Sequence, residues 1–330
     1  MSLTWEPYTL RMKTTWRIAH GATNERHNVF VRIHEGLGEA AAVPHHGESQ
    51  AGIIAYLKDT AERDWDPFLM EDMLNQLPAG SAAARAAIDL ALHDELGKRL
   101  GQPLYRLLGL DPNRAPLTSF TISMDEPSVM AERAHASGLP ILKIKVGGVQ
   151  DEKVLAAIRQ ATSARLRVDA NAGWSREQAA KLIPRLVEYG LEFIEQPLPV
   201  GDIEGLRWLR AKKLGVPIFA DENVKTAKDV AAHAGAVDGV VIKLMKTGGI
   251  REALRAIHVA RALDMQVMIG CMVESTLGVT AAAHLAPLCD YADLDGPLLI
   301  ANDPYEGVCY QGARLLLPDR PGLGVTRKNN

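Results

Sequence analysis

Cysteine is scarce in this chain. Its 330 residues include three, Cys271, Cys289 and Cys309. Their number is odd and their spacing suits no metal, which argues against a disulfide framework. An excess of one charge is also missing. The net charge of −3 gives no basic surface for nucleic acid or an anionic membrane. No uncharged apolar run is long enough to span a bilayer. The opening MSLTWEPYTL lacks the charged-then-apolar order of a signal peptide, so a reducing cytoplasm is the expected compartment. What is present is ordinary. Apolar residues make up 47% and charged residues 23%, the profile of a soluble globular protein long enough for one large domain or two smaller ones.

A repeat emerges from about residue 116. Eight short apolar or β-branched runs follow one another: LTSFTIS, ILKIKV, RLRVDAN, EFIEQP, PIFADEN, GVVIKLM, QVMIGCM and YADLD. Between most of them lie helical patterns rich in Ala, Leu, Glu, Lys and Arg, such as DEKVLAAIRQATSA and IREALRAIHVARALD. Polar residues near the strand ends recur at Lys145, Asp169, Glu195, Asp221 and Lys243, with gaps of 24, 26, 26 and 22. Asp293 lies 50 beyond Lys243, which is two further units. A strand-plus-helix unit of this length, repeated to eight strands, reads as a (β/α)8-type barrel. An open doubly wound sheet shares the same local pattern.

Residues 1–115 read differently. VFVRIHEGLGEAAAVP suggests a hairpin around Gly36 and Gly38, and AGIIAYLKDTAERD and SAAARAAIDLALHDELGKRL suggest helices. This segment is expected to form a separate α+β domain. The Pro-rich DPNRAP joins it to a barrel over 116–303, and a hairpin-like tail over 304–330 returns to it.

In ILKIKVGG, Lys143 and Lys145 are two apart and so share one face of a strand. Charged residues are rarely buried unpaired, so the two lysines require anions nearby. Barrel active sites lie at the carboxyl ends of the strands. Those ends carry Lys143 and Lys145, then Asp169 with Asn171, Glu195, Asp221 with Glu222, and Lys243. Three carboxylates from consecutive strands thus converge between lysines on opposite sides of the ring. An all-oxygen set without His or Cys favours Mg2+, with Mn2+ as a substitute. A purely structural acid–lysine network is the alternative. A cation on a substrate carboxylate would stabilise the enediolate left when an α-proton departs. A lysine whose pKa falls from about 10.4 toward about 7–8 can take that proton, and the opposite lysine can return one. The outcome is inversion of a stereocentre, or elimination where a leaving group is present.

KIK, DAN, EQP, ADE and KLMKTGG, in this order and spacing, resemble the enolase superfamily, specifically its muconate-lactonizing-enzyme subgroup. The resemblance implies a modified (β/α)7β barrel with an N-terminal α+β capping domain. It also implies Lys145 and Lys243 as the acid/base pair, Asp169, Glu195 and Asp221 as Mg2+ ligands, and Lys143 as support for Lys145 and the substrate carboxylate. Lys246 falls outside the match and reads as a loop or surface lysine. The mandelate-racemase subgroup would carry a catalytic His near the end of strand seven, where this chain has MVES. YADLDGP places Asp293 and Asp295 on one face, and the pair resembles the DxD motif by which dipeptide epimerases hold a substrate ammonium group. That resemblance implies inversion at the C-terminal residue of a dipeptide, the best-known substrates being Ala-Glu dipeptides from murein peptide. N-succinylamino-acid racemases, o-succinylbenzoate synthases and muconate cycloisomerases use the same machinery and are the alternatives, beside a non-catalytic Mg2+-dependent peptide-binding protein. Homo-oligomerisation is left open.

A glutamate side chain would need a cation from the capping loop near residues 14–28, which offers Arg17, His20 and Arg26. Gly147-Gly148 and Gly248-Gly249 read as strand-to-helix turns rather than phosphate cradles. His45-His46 read as solvent-facing. Asn171 and Glu222 are expected to hydrogen-bond the ligands and lysines. Glu274 either lines the pocket or hydrogen-bonds groups behind it.

Overall fold

The computed structural model describes residues 3–19, 21–44 and 47–329. His20, His45 and His46 lie outside the described residues. The chain opens with a three-stranded antiparallel sheet, β1 (Leu3–Ile18), β2 (Gly21–Ile33) and β3 (Gly36–Ala41), in the order β1-β2-β3. The segment expected as a loop over 14–28 is the outer end of the β1–β2 hairpin, with Arg17 opposite Ala22 and Arg26 opposite Leu10. Helices α1 (Gln50–Thr60), α2 (Met70–Asn75), α3 (Ala82–Leu100) and α4 (Leu104–Leu107) follow. Ser81 caps α3 by accepting from the Ala84 N–H, and Gly101 ends it in the left-handed region at φ 64°.

Gly36 and Gly38 do not make the β2–β3 turn. His34, at φ 52°, turns the chain. The two glycines sit where the backbone of α3 crosses β3. A Cβ on Gly36 would overlap the Ala91 carbonyl oxygen, and one on Gly38 the Ala87 carbonyl oxygen. Ala87 and Ala91 themselves are fully buried, so small residues on both elements let helix and sheet pack at backbone distance.

Eight parallel strands then alternate with helices. The strands are β4 (Phe120–Ile122), β5 (Ile141–Lys145), β6 (Arg165–Asp169), β7 (Leu191–Glu195), β8 (Ile218–Ala220), β9 (Gly239–Lys243), β10 (Gln266–Gly270) and β11 (Tyr291–Asp293). They hydrogen-bond in sequence order. A parallel bridge from Thr118 to Ala292 brings the first strand to the last, so the sheet closes into a barrel rather than the open alternative. The connecting helices are α5 (Pro127–Ser137), α6 (Asp151–Ala161), α7 (Arg176–Val187), α8 (Ile203–Ala211), α9 (Ala227–Ala232), α10 (Leu244–Thr247) with α11 (Ile250–Ala262), and α12 (Thr276–Ala283). After β11 comes only the one-turn α13 (Gly296–Leu299). This is the (β/α)7β arrangement.

Strand alternation sorts the barrel interior into layers. Phe193, Phe219, Val241 and Met268 form a closed apolar cluster, with Tyr291 packed on it. Arg167 lies across the Phe193 and Tyr291 rings at 5.4 and 5.0 Å. Two residues further along the same strands stand Asp169, Glu195, Asp221, Lys243 and Asp293. The floor is therefore apolar apart from Arg167, and Asp169, Glu195, Asp221 and Lys243 stand at or just past the open ends of β6 to β9.

The tail forms strands β12 (Tyr305–Glu306), β13 (Cys309–Gln311), β14 (Arg314–Leu316) and β15 (Thr326–Arg327). It runs back between cap and barrel. Ala313 O accepts from Thr118 N at 2.8 Å, Gly322 O accepts from Leu104 N at 2.9 Å, and Asp94 Oδ1 accepts from Leu323 N at 2.7 Å. Arg327 pairs with Glu6. Among the described residues no helix is long and apolar enough to cross a membrane.

Gly38→Ala should drive a methyl group into the α3 backbone, where no rotamer change can relieve it. Overpacking of this kind costs roughly 1–3 kcal/mol. The expected result is a clear drop in melting temperature, which an unchanged thermal melt would contradict.

Candidate active site

The three acids meet where their strands end. Ligand oxygens of Asp169, Glu195 and Asp221 all lie within 4.8 Å of one another, and all three residues are buried. Local backbone turns put them there. Asn171 (φ 43°), Ala172 (φ 61°) and Gln196 (φ 36°) adopt left-handed conformations, turning the chain outward immediately after β6 and β7. The Asn171 N–H donates to Asp169 Oδ1 at 2.9 Å, and the Asp221 N–H donates to Gln196 Oε1 at 2.9 Å. Gln196 went unnoticed in the sequence, although it is the residue after the acid in EQP.

Four lysines surround these acids. Lys143 Nζ donates to Glu195 Oε1 at 2.9 Å and to Asp293 Oδ2 at 2.8 Å, and lies 3.0 Å from Asp169 Oδ2. Lys145 Nζ donates to Asp169 Oδ2 and Lys243 Nζ to Asp221 Oδ2, each at 2.6 Å. Lys145, Asp169 and Glu195 are in register across β5–β7, and Lys243, Gly270 and Asp293 across β9–β11. The two lysines thus approach the acid trio from different strands and different carboxylates. The surface reading of Lys246 is wrong. Its side chain is buried and donates to the Asp221 main-chain oxygen, to Asp221 Oδ1 and, at 3.1 Å, to Val241 O. The spacing of KLMK hid this, because three residues on is a helical step and β9 passes straight into α10.

Electrostatics follow from this packing. Burial works against charge on Asp169 and Asp221, yet Lys143 and Lys145 hold the first below the usual carboxylate range, and Lys243 and Lys246 hold the second well below it. Glu195 goes the other way: burial and the neighbouring Asp169 charge push it well above its ordinary value. Glu195 Oε2 lies 2.8 Å from Lys143 Nζ but accepts no hydrogen bond. Oxygen-only donors and their close convergence together fit a hard divalent cation. Burial lowers Lys246. The expected lowering of Lys243 is reversed in the protein alone: burial favours the neutral amine, but Asp221 outweighs it and raises the group. A cation competing for Asp221 would be needed to bring it down.

Asp293 at the end of β11 and Asp295 just beyond it both line the cavity, but they are not equivalent. Lys143 ties Asp293 to Glu195 of the trio. Asp293 also accepts from Ser119 Oγ at 2.7 Å. Burial raises it and Lys143 overrides that, so it sits low. Asp295 accepts the Thr121 N–H, and burial together with the Asp293 charge pushes it up to about 7.

A cavity opens above these groups, lined by Lys143, Lys145, Lys243, Asp293 and Asp295. Trp16, Ile18 and Arg26 from the β1–β2 hairpin form its roof, and Met272 and Val273 one wall. The Trp16 ring lies 5.9 Å from Lys145 Nζ. Arg26 is half-buried without a hydrogen bond or ion pair among the described residues, and desolvation lowers its pKa. Arg17 lies outside this lining and pairs with Asp125 at 3.4 Å. Asn171 Nδ2 donates to Glu222 Oε1 at 3.0 Å, leaving Glu222 Oε2 unpartnered.

Both glycine pairs are turns. Asp151 accepts from the Gly147 and Gly148 N–H groups, and Asp89, reaching over from α3, accepts from Ile250 N at 2.6 Å beyond Gly248-Gly249. A carboxylate already occupies the place a phosphate would take.

Glu274 does not line the cavity. Its Oε1 accepts from Met272 N at 2.7 Å, while Oε2 is buried without a partner. It faces Glu39 of β3, which accepts from Asn28, Ser275 and Gly278. A side-chain carbon on Gly278 would strike Glu274 and press on Glu39, so the two carboxyl groups converge at the seam between cap and barrel. Burial, then the Glu39 charge, pushes Glu274 up to about 8. Folding thus keeps a proton on Glu274 between roughly pH 4.5 and 8, where the unfolded chain has released it. Stability should fall as pH rises through that window. Glu274→Gln, a neutral isostere, should be no more stable than the parent at pH 5. By pH 8 it should be more stable by at least about 1 kcal/mol, at roughly 1.4 kcal/mol per unit of pKa. Denaturant melts with the same pH slope in both proteins would show that Glu274 is ionised in the fold.

Comparison with known proteins agrees with this geometry. Residues 6–109 match the mandelate racemase/muconate lactonizing enzyme N-terminal domain, and residues 128–330 match the enolase C-terminal domain-like model. The L-Ala-D/L-Glu epimerase of Bacteroides thetaiotaomicron is 40% identical, over 99% of this chain and 88% of its own length. The dipeptide epimerase of Cytophaga hutchinsonii, solved with Mg and D-Ala-L-Val, superposes with a TM-score of 0.96 at 31% identity, over 100% of this chain and 96% of its own. The N-succinyl Arg/Lys racemase of Bacillus cereus superposes at 0.94 with 29% identity, over 99% and 95%. The chain belongs to the mandelate racemase/muconate lactonizing enzyme family of the enolase superfamily. It is an enzyme of the isomerase class.

Proposed function

We propose that this enzyme is a Mg2+-dependent dipeptide epimerase that inverts the α-carbon of the C-terminal residue. The observation that carries the reading is the pair Lys145 and Lys243, each held at 2.6 Å by a different acid of one buried trio. Binding alone requires no such pair. Asp169, Glu195 and Asp221 would hold Mg2+, or Mn2+ in its place. Bound there, the cation supplies positive charge against the negative charge that grows on the substrate carboxylate as the α-proton leaves. Lys143, with its ammonium already shared among Asp169, Glu195 and Asp293, adds a second fixed charge beside that carboxylate. Lys145 removes the proton of one epimer and Lys243 returns one to the other face, and the reverse direction exchanges the roles. Asp295, aided by Asp293, accepts the substrate's α-ammonium group. The same reading divides the chain into a cap, residues 1–115 with 304–330 returning to it, and a catalytic barrel over 116–303.

Arg26 supports Ala-Glu-type dipeptides, such as those derived from murein peptide, in a reducing cytoplasm. Its half-buried, unpaired guanidinium in the cavity roof suits a carboxylate-bearing side chain. N-succinylamino-acid racemisation is the second reading, favoured by the likeness to the Bacillus cereus enzyme. A succinyl carboxylate would also suit Arg26, but would leave Asp295 without an ammonium partner.

The decisive measurement is deuterium exchange in D2O with Mg2+ present. L-Ala-L-Glu should exchange at the glutamate α-carbon, stop exchanging with EDTA, and exchange faster than N-succinyl-glutamate. The opposite substrate ranking would overturn the proposal. Lys243→Ala should abolish epimerisation yet retain slow exchange, down about 10²–10⁴-fold, in one epimer only. Equal exchange of both epimers by this variant would end the two-lysine mechanism.

Arg26→Ala should reduce kcat/KM for L-Ala-L-Glu by roughly tenfold to over a hundredfold, the worth of a charge-assisted contact. L-Ala-L-Val should be nearly unaffected. Equal losses on both substrates would assign Arg26 to holding the hairpin rather than to specificity.

A further inference from the structure

Lys246 is the one lysine of the four that faces away from the cavity. It sits on α10, one turn beyond Lys243, and is absent from the lining that includes Lys143, Lys145 and Lys243. An ammonium group has three N–H donors. Lys246 spends them on Asp221 Oδ1, the Asp221 main-chain oxygen and Val241 O. No donor remains for a substrate, so proton transfer and substrate binding are both excluded.

Its placement is asymmetric about one carboxylate. Asp221 Oδ1 belongs to Lys246, Oδ2 to Lys243 and the main-chain N–H to Gln196. β8 ends at Ala220, so Asp221 has left the sheet and lacks the strand pairing that fixes Asp169 and Glu195 in register. Something else must hold its side chain. Lys246 reaches from the next strand's connection and grips both ends of the residue, main chain and carboxylate.

We propose that Lys246 is a positioning residue that locks Asp221 from behind as a cation ligand and leaves Oδ2 for the cavity. The proposal rests on the metal-site reading above. It makes a prediction opposite in sign to simple electrostatics. Removing a buried positive charge beside three acids should tighten cation binding if charge alone matters. If Lys246 acts by holding Asp221, the same change should weaken it.

The test is Mn2+ binding to the full-length protein after EDTA treatment and desalting, without substrate, read by the electron paramagnetic resonance of free Mn2+. Lys246→Met keeps the apolar stem and removes charge and donors. Its Kd for Mn2+ should rise at least tenfold over the parent, and the Mg2+ concentration giving half-maximal α-proton exchange should rise in step. Lys246→Gln, which retains neutral donors and guards against a misfolded Met variant, should fall between the two. Circular dichroism melts establish that the variants compared are folded. Unchanged or tighter Mn2+ binding in either folded variant would overturn the positioning role while leaving the metal site standing. Failure of the parent protein to bind Mn2+ would remove both.

Discussion

Burying carboxylates inside a barrel is tolerable only if cations are buried with them. An ion taken from water loses several kcal/mol of solvation, and removing one member of a buried pair typically costs about 3–5 kcal/mol. In this protein Lys143, Lys145, Lys243 and Lys246 satisfy Asp169, Asp221 and Asp293, while Glu195, Glu222 and Asp295 are pushed toward their neutral forms. Every other feature of the site presupposes this arrangement. The floor must be dry, so that the ion pairs are strong. The mouth must be covered, so that incoming water does not dissolve them. The strands must agree in register, so that charges from β5 to β11 meet.

The cap answers the second requirement. Its hairpin brings Trp16 over Lys145 and Arg26 over the cavity. Its helix α3 approaches β3 closely because Gly36 and Gly38 have no side chains, and Asp89 of α3 then caps α11 of the barrel. Glu39 binds the Ser275–Gly278 turn, which immediately follows the cavity wall at Met272 and Val273. Cap and barrel therefore share hydrogen bonds within a few residues of the cavity, and a shift of one would be felt by the other. The tail adds to the same seam through Leu323 and Asp94.

How much of this the sequence disclosed depended on whether a feature was periodic. The eight strands, the acid trio and the flanking lysines were legible because strand alternation and a unit of near-constant length place like residues at like positions. Lys246 breaks that rule. It is inward-facing but reached through a helical turn, so neither period flags it, and an isolated lysine is ordinarily exposed. The outer end of the β1–β2 hairpin, TTWRIAHGATNERHN, reads as a loop because its apolar residues are few: Trp16 and Ile18 share the face that roofs the cavity, and most of the rest is polar. Gly36 and Gly38 read as a turn because sequence does not distinguish a glycine that bends the chain from one that lets another backbone approach. The difference between Asp293 and Asp295 was likewise invisible, since it arises from Lys143, which is 150 residues from Asp293 in the chain.

That difference bears on how an ammonium group would be recognised. A fully ionised, unpaired carboxylate waiting in a buried cavity would destabilise the empty enzyme. Asp295 avoids this because burial, and then the charge of its neighbour Asp293, raise it to about 7, where the neutral form is readily reached. An arriving ammonium group favours the ionised form, so the negative charge develops as its partner enters. Asp293, held ionised by Lys143, supplies the negative field that keeps Asp295 poised, and on the proposed reading it would link the ammonium end of a substrate to the lysine beside its carboxylate. On the proposed reading the two ends of a dipeptide would thus be sensed through one connected set of charges, Asp295, Asp293, Lys143 and Glu195. A substrate lacking either end would leave part of that set unbalanced. Selectivity for free dipeptides would then follow from the same charge balance that allows the barrel to fold around its acids.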